Sequence, residues 1–366
     1  MTNENIPFLV TPPGHILKDE LDARGWSQKD FAEIIGRPEQ AISEIVTGRK
    51  EITPQTAIEF SKAFGTSAEF WVNLESNYQI WKAQKTIKSK QIDRRARLYS
   101  LGPINELKKL GWIKNTNNLD TLESEVVSFL GLKSVDDKPV YSMVARHSKT
   151  RNPEQVAIFN WIKRVEKLIS GQQTGSFNKT KFRKHLPELL KFAGNERDIL
   201  NVPGFLINHG VHFALVPHLQ RTYLDGAFFW NGKSPVIALT LRYGSFDSFW
   251  FTLMHEIGHL IFGHKGPWFD TIYNRTEDAD TLELEADNFA RDQLVDPDEY
   301  SKFIAASKSK FPRSEITGLA EKLQRHKSIV LGRLKFDGAV DWNTLRSWHV
   351  SVKDILSSMY DKPILL

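Results

Sequence analysis

The chain has 366 residues, a net charge of +5, a pI near 9.1 and 40% apolar residues, which suffices for two or three domains with buried cores. It contains no cysteine, so disulfides, thiol catalysis and thiolate zinc sites are excluded, and any metal must be bound by histidines and carboxylates. No apolar run is long enough to span a membrane, and the N-terminus lacks the pattern of a secretory signal. We therefore expect a cytoplasmic protein with no membrane partner.

Residues 1–85 predict a compact all-helical module. Five helix patterns follow one another from Pro12 to Ala83, each opening at a capping residue or a proline, and most ending at a glycine. Two of them, SQKDFAEIIG and PEQAISEIVTG, are short and joined by a tight turn at Gly36. This pattern predicts a helix-turn-helix, whose second helix enters the major groove of DNA.

The second helix of this pair carries the side chains expected to face base edges. Gln40 and Ser43 point outward, and Arg37 lies just before the helix. Glutamine can read adenine, and arginine can read guanine or hold a phosphate. Two acids on the same helix, Glu39 and Glu44, would repel phosphates, so a purely protein-binding module remains the alternative.

The stretch Thr11–Ala83, with PPGHILKDEL, ISEIVTGRKEIT and FGTSAEFW, resembles the HigA-type antitoxins, which repress toxin–antitoxin operons. The resemblance implies a λ-repressor-like fold, a homodimer on double-stranded operator DNA, and leaves a toxin partner open. It also implies DNA-binding residues: Gln28 at a phosphate, Arg37, Gln40 and Ser43 at base edges, and Arg49 and Lys50 beside the backbone.

Residues 86–175 predict a helical middle region. Between Lys82 and Arg97, seven basic side chains stand against one acid, Asp93. This strip is either a solvated helix face or a surface that follows a phosphate backbone. The polar stretch Gly171–Thr180 predicts a loop at the end of the region.

Residues 176–300 predict a mixed α+β domain. The runs VHFALVP, GAFFWNG and PVIALTLR are short, β-branched or aromatic, and bounded by Pro, Gly and Asn, which predicts strands of a small sheet. Two amphipathic helices are expected to follow, Asp247 to Phe262 and Ala279 to Leu294. A helical extension, residues 301–366, completes an α+β multidomain chain.

The motif His-Glu-x-x-His lies on the first of these two helices. His255 and His259 are four residues apart, so their rings project from one helix face about 6 Å apart and can bind one ion. Glu256 lies about 100° around the helix, within reach of a water on that ion. The alternative, two core histidines, would bury polar groups without partners at a cost of several kcal/mol.

A catalytic zinc site requires a third protein ligand. The second helix carries LELEADNFARDQLV, in which Glu283 and Asp287 share one face. Glu283 is therefore the expected ligand, and Asp287 is expected to accept the N–H of a ligating histidine. Glu285 and His264 are the alternatives for the third ligand.

The segments AFFWNGKSPVIALTLRYGSFDSFWFTLMHEIGHLIFGH and LELEADNFARDQLV resemble the ImmA/IrrE metallopeptidases, which have a zincin-like core. In that family two histidines and the first glutamate of an ExxA(N/D) motif bind Zn²⁺, which here implies His255, His259 and Glu283. Glu256 is then the general base of peptide hydrolysis. Tyr223 is a candidate oxyanion donor, with packing as its alternative role.

These expectations combine into a DNA-binding transcriptional regulator, or antitoxin-like protein, that carries a zinc endopeptidase. Its substrate would be a regulatory protein such as a repressor, because relatives of the peptidase domain cut helix-turn-helix repressors. One alternative is a non-catalytic HigA-type antitoxin whose metal domain acts as a sensor or scaffold. Another is a zinc hydrolase acting on a small amide. The presence of Glu256 favours catalysis, since a scaffold has no need of it.

Overall fold

Residues 11–84, 87–137, 153–264, 268–269, 277–307 and 310–365 are described from a computed structural model of the chain. The chain divides into two compact units, Met1–Arg97 and Leu98–Leu366. The second unit contains most of the predicted segment 86–175 together with the predicted segments 176–300 and 301–366. The division of this unit into three domains remains a prediction. Among the described helices, none combines the length and apolar character needed to cross a bilayer.

The first unit is built from short helices whose ends follow the sequence signals. The helices are α1 (Pro13–Arg24), α2 (Gln28–Ile35), α3 (Glu39–Val46), α4 (Pro54–Phe64), α5 (Ala68–Gln84) and α6 (Ile87–Ser100), the last of which runs across the boundary between the units. Ser27 and Asp30 form a capping box at the start of α2. The Thr53 hydroxyl caps α4 by accepting from the Thr56 N–H. These caps fix where the helices begin.

Aromatic rings fill the core of the first unit. Phe31 of α2 stacks on Phe64 of α4 with ring centroids 4.6 Å apart. Trp71 of α5 meets Phe60 edge-on at 5.2 Å, and its ring nitrogen donates to the Thr66 hydroxyl. Such ring pairs bury large apolar areas and add packing energy of about 0.5–1.5 kcal/mol each. They hold α2 against α4, and α4 against α5.

The second unit contains helices on both sides of a small sheet. Its helices are α7 (Ile104–Lys109), α8 (Leu119–Leu130), α9 (Pro153–Ile169), α10 (Lys179–Lys191), α11 (Val202–Asn208), α12 (Phe246–Phe262), α13 (Glu277–Leu294), α14 (Pro297–Ser307), α15 (Arg313–Leu323), α16 (Lys327–Phe336) and α17 (Val352–Ile355). Its strands are β1 (His212–Leu215), β2 (Gly226–Asn231), β3 (Ser234–Leu239) and β4 (Trp268–Phe269). The three predicted strands are present, and the short β4 is an addition that the sequence did not predict.

Within the described residues the sheet is mixed and has the strand order β1-β3-β2-β4. β1 is parallel to β3, with Phe213 opposite Ile237, whereas β2 runs antiparallel to both β3 and β4. Successive strand residues point to opposite faces, and here both faces are buried. This double burial explains why the strands are almost continuously apolar.

The two faces of the sheet belong to two different cores. One face, which includes Phe213, Phe228 and Ile237, packs in a core with α12 and the C-terminal helices. The other face, which includes Ala214, Phe229 and Val236, packs in a core with α7, α8 and α9. The middle region therefore supports the sheet from the side opposite α12.

Helix α12 lies inside the second unit. Twelve of its seventeen residues are buried, so it is an interior helix rather than the amphipathic helix predicted from the sequence. The C-terminal segment anchors its start, because the Phe246 N–H donates to the Val350 carbonyl and the Val352 N–H donates to the Gly244 carbonyl. The predicted fold class, α+β with an all-helical N-terminal unit, is confirmed.

Candidate metal centre and DNA-facing helices

The motif His-Glu-x-x-His occupies the buried part of α12. His255, Glu256 and His259 are 5%, 1% and 1% exposed. Ser245 caps the helix by accepting from the Ser248 N–H, which sets where the helix begins. An ionisable group so deeply buried requires a partner of opposite charge or a hydrogen bond.

Helix α13 crosses α12 directly over the motif, and a glycine permits the close approach. A Cβ added to Gly258 would lie 3.1 Å from the Cα of Ala286, so any side chain there would push the helices apart. The sequence thus places its smallest residue between the two histidines, where the helices meet. Glu283, one turn before Ala286, is brought to the histidine face.

Two imidazoles and one carboxylate converge at this crossing. His255 Nε2 and His259 Nε2 are 3.0 Å apart. Glu283 reaches both, with 3.1 Å from its Oε2 to His255 Nε2 and 3.6 Å from its Oε1 to His259 Nε2. The three donor atoms lie within 4.8 Å of one another. Two histidine nitrogens and one glutamate oxygen are a donor set of catalytic zinc sites, so the residues present fit a zinc ion.

The electrostatics of this cluster favour a cation. Burial raises the pKa of Glu283, but the hydrogen bonds with His255 and His259 outweigh it and lower the pKa to about 2. Burial lowers the pKa of His255, yet its hydrogen bonds with Asp287 and Glu283 prevail and raise the pKa well above its ordinary value. Burial lowers the pKa of His259. Glu283 is therefore a carboxylate at neutral pH, and the cluster attracts either a proton or a metal ion.

Asp287 lies where the sequence placed it, beside the far nitrogen of a histidine. Its Oδ1 is 2.9 Å from His255 Nδ1. A carboxylate in this position holds Nδ1 protonated and leaves Nε2 free to bind an ion.

The two alternatives for the third ligand, His264 and Glu285, lie elsewhere around His259. His264 Nδ1 is 2.8 Å from His259 Nδ1, the ring nitrogen that faces away from Glu283. Glu285 Oε2 is 2.9 Å from His264 Nε2. The structure therefore brings Glu283, and neither alternative, to the two Nε2 atoms. The spacing of residues in the sequence did not predict the contacts of His264 with His259 and Glu285.

Glu256 lies beside the histidines and against the start of β2. A Cβ added to Gly226 would lie 2.6 Å from Glu256 Oε1 and 2.8 Å from Thr252 Cγ2. The absence of a side chain at Gly226 therefore leaves room for the carboxylate. Tyr223, the candidate oxyanion donor, precedes β2 and has the Arg242 guanidinium 5.8 Å from its ring centroid.

The residues proposed to contact DNA differ in their exposure. Gln40 is exposed on α3, where its Nε2 donates to Glu44 Oε1 over 3.1 Å. Ser43 is half-buried on the same helix, as is Gln28 at the first position of α2, while Arg49 and Lys50 are exposed just after α3.

Arg37 forms an ion pair within the first unit. Its guanidinium donates from two nitrogens to the carboxylate of Glu59 on α4. Both side chains are 23% exposed. This pair fixes Arg37 beside α4, whereas the sequence placed Arg37 among the base-reading residues. To contact a base, Arg37 has to leave Glu59.

The basic strip lies on α5 and α6, and only part of it falls within the described residues. Lys82 and Lys90 are exposed. Lys85, a member of the strip, lies outside the described residues.

Two family models match separate parts of the chain. Residues 17–71 match the helix-turn-helix model, and residues 213–335 match the IrrE N-terminal-like domain. The uncharacterized HTH-type transcriptional regulator YddM of Escherichia coli K12 is 32% identical over 75 residues, which are 20% of this chain and 80% of YddM. The antitoxin HigA-1 of Vibrio cholerae is 32% identical over 69 residues, which are 19% of this chain and 65% of HigA-1. A solved addiction module antidote protein of the HigA family from Coxiella burnetii has 36% identity, covers 22% of this chain and 88% of its own, and gives a TM-score of 0.21.

Proposed function

This chain belongs to the helix-turn-helix transcriptional regulators and carries an IrrE N-terminal-like domain, and on that premise we propose that it is a DNA-binding regulator with a zinc-dependent endopeptidase. Its substrate is a regulatory protein such as a repressor. The observation that carries the proposal is the convergence of His255, His259 and Glu283 at one point, with Glu256 next to His255 on the same helix.

The residues of the chain divide the chemistry among them. His255, His259 and Glu283 would hold the zinc ion, which polarises a peptide carbonyl and lowers the pKa of water when bound. Glu256 accepts a proton from the attacking water on its carboxylate and delivers it to the leaving amine nitrogen. The burial of Glu256 keeps bulk water from this carboxylate.

The first unit supplies the DNA-binding part of the proposal. Gln28, Gln40, Ser43, Arg49 and Lys50 are the proposed DNA contacts, with Arg37 joining them on release from Glu59. A homodimer on a palindromic operator suits such a helix-turn-helix, because each copy reads one half-site. The cytoplasm is the expected location, since operator DNA is there.

The substitution Glu256→Gln tests the peptidase. It removes the proton acceptor and keeps the shape of the side chain. Purified wild-type protein, loaded with zinc, is incubated with the protein products of the neighbouring operon and with its own N-terminal unit, and mass spectrometry detects new termini. We expect cleavage by the wild type and a rate lower by about 10²–10⁴-fold in Glu256→Gln, with unchanged zinc content.

One alternative has support of its own. The similarity to the antitoxin HigA-1 favours a non-catalytic antitoxin or repressor that binds a toxin, with the metal site as a sensor or scaffold. In that case the zinc-loaded wild type leaves all these proteins intact. Operator repression and toxin control are then the only activities, and both persist in Glu256→Gln.

A further inference from the structure

Both ring nitrogens of His259 are engaged. Nε2 faces His255 and Glu283, as described above, and Nδ1 faces the Nδ1 atom of His264 over 2.8 Å. His259 is 1% exposed and His264 is 7% exposed, so water does not compete for this contact.

The protons on these rings follow from the contacts. In an N···N hydrogen bond one nitrogen carries the proton and the other is bare. His259 Nε2 must be bare to bind a cation, so the single proton of the neutral ring lies on Nδ1, which donates to His264 Nδ1. The proton of His264 then lies on its Nε2, which donates to Glu285 Oε2 over 2.9 Å.

We propose that His264 and Glu285 form a positioning relay that fixes the ring and the tautomer of His259 for metal binding. The inference rests on the proposed zinc site and assigns these two residues a role other than ligation. The relay completes a pattern, because Asp287 contacts His255 Nδ1 directly and Glu285 reaches His259 Nδ1 through one imidazole. Each histidine ligand thus has a carboxylate behind it.

The chain is shaped to build this relay. Gly263 ends α12 with φ 76°, and the His264 N–H then donates back to the His259 carbonyl. This turn places the His264 ring against His259, with the Phe262 ring stacked on it at 5.7 Å. Glu283 and Glu285 are two residues apart on α13, about 200° around a helix. Glu283 therefore faces His259 Nε2, and Glu285 faces His264.

Zinc affinity of the full-length protein tests the relay without any activity measurement. A chromogenic chelator competes for the metal, and the zinc dissociation constant is read from the competition. We expect His264→Leu and Glu285→Ala each to weaken zinc binding by about 10–100-fold. His264→Asn is expected to keep affinity within about threefold of the wild type, because the amide oxygen can accept from His259 Nδ1.

The two members of a relay act in series, so their losses must not add. We expect Glu285→Ala to have no further effect in the His264→Leu background. Asp292→Asn is the matched control, because Asp292 is an exposed carboxylate on the same helix, and it must leave zinc affinity unchanged. If the losses add, or if His264→Leu binds zinc like the wild type, the relay is excluded.

Glu283→Ala separates the relay from the zinc site itself. If the wild type binds no zinc, the proposed function fails. If His264→Leu abolishes binding as fully as Glu283→Ala, His264 is a ligand and the relay is wrong. Circular dichroism checks that each variant is folded. If His264→Leu does not fold, the other two variants test the relay. The relay requires Glu285→Ala to weaken zinc binding and His264→Asn to preserve it.

Discussion

Gly226 controls the position of the carboxylate proposed as the general base. It is the first residue of β2, and an added Cβ would contact Glu256 Oε1 and Thr252 Cγ2 well inside normal packing distance. The backbone of β2 is fixed by its pairing with β3, so the side chain of Glu256 has to move instead. A strand residue thereby restricts the positions that the Glu256 side chain of α12 can occupy.

We expect Gly226→Ala to slow peptide cleavage by about 100-fold while zinc affinity stays at the wild-type value, because displacement of a reacting group costs rate and the metal ligands are untouched. Rates of substrate cleavage and chelator competition measure the two quantities. Gly318→Ala is the control, since a Cβ on Gly318 of α15 meets nothing within 4 Å. A wild-type cleavage rate in Gly226→Ala would show that Glu256 is not held in this way or is not the base.

Spacing along a helix predicted some residues of the candidate metal centre and not others. His255, His259 and Glu283 could be proposed because helical geometry fixes which residues share a face. The roles of Gly226 and His264 could not, because one depends on the approach of a distant strand and the other on the turn after α12. The ion pair of Arg37 could not be predicted from the sequence either, because its partner Glu59 lies on another helix.

At the scale of elements, the pair Arg37–Glu59 links the helix-turn-helix turn to α4. The hydrogen bond from Arg37 lowers the pKa of the Glu59 carboxyl. A carboxyl whose pKa is lower in the folded state stabilises the fold above its unfolded pKa of about 4.3, and this stability is lost as the pH falls through the folded value. The first unit should therefore lose this contribution in acid.

We expect Glu59→Gln to destabilise α2 and α4 by up to about 1 kcal/mol at neutral pH, because the pair is only partly buried. Protection factors from hydrogen exchange of the full chain report this difference, which should shrink as the pH falls below about 4.3. Glu33→Gln, on the exposed side of α2, should have no such effect. A difference that stays constant with pH would mean that the ion pair does not contribute.

The elements with strong local signals were predictable, whereas their packing was not. Caps and glycines set the helices of the first unit, and apolar runs set β1, β2 and β3. The two residues of β4 carry no recognisable pattern, because their pairing with β2 is a long-range contact. The nearly continuous apolar residues of the strands did predict one packing feature, namely that both faces of the sheet are buried. Helices α8 and α9 pack on the face opposite α12.

At the scale of the whole molecule, the two compact units hold the two candidate sites. The first unit has its own aromatic core and the residues proposed to contact DNA, whereas the three proposed metal ligands all lie in the second unit. We therefore expect a substitution at the site of one unit to leave the activity of the other unit unchanged, which makes that second activity a control. Glu256→Gln, for example, should leave operator affinity at the wild-type value.

The two kinds of DNA contact should separate in a salt titration. Arg49 carries a charge without base information, so Arg49→Ala should weaken binding to all sequences alike and reduce the slope of log affinity against log salt by about 1. Gln40 is exposed on α3 and is proposed to read a base, so Gln40→Ala should cost about 1–3 kcal/mol of discrimination at one base pair and leave the slope unchanged. Fluorescence anisotropy with the operator and with single-base variants measures the salt slope and the base preference.

Because Gln40 donates to Glu44 in the free protein, Glu44→Ala should free the Gln40 amide and raise operator affinity. If Gln40→Ala changes the salt slope but not base preference, α3 holds the phosphate backbone and sequence is read elsewhere.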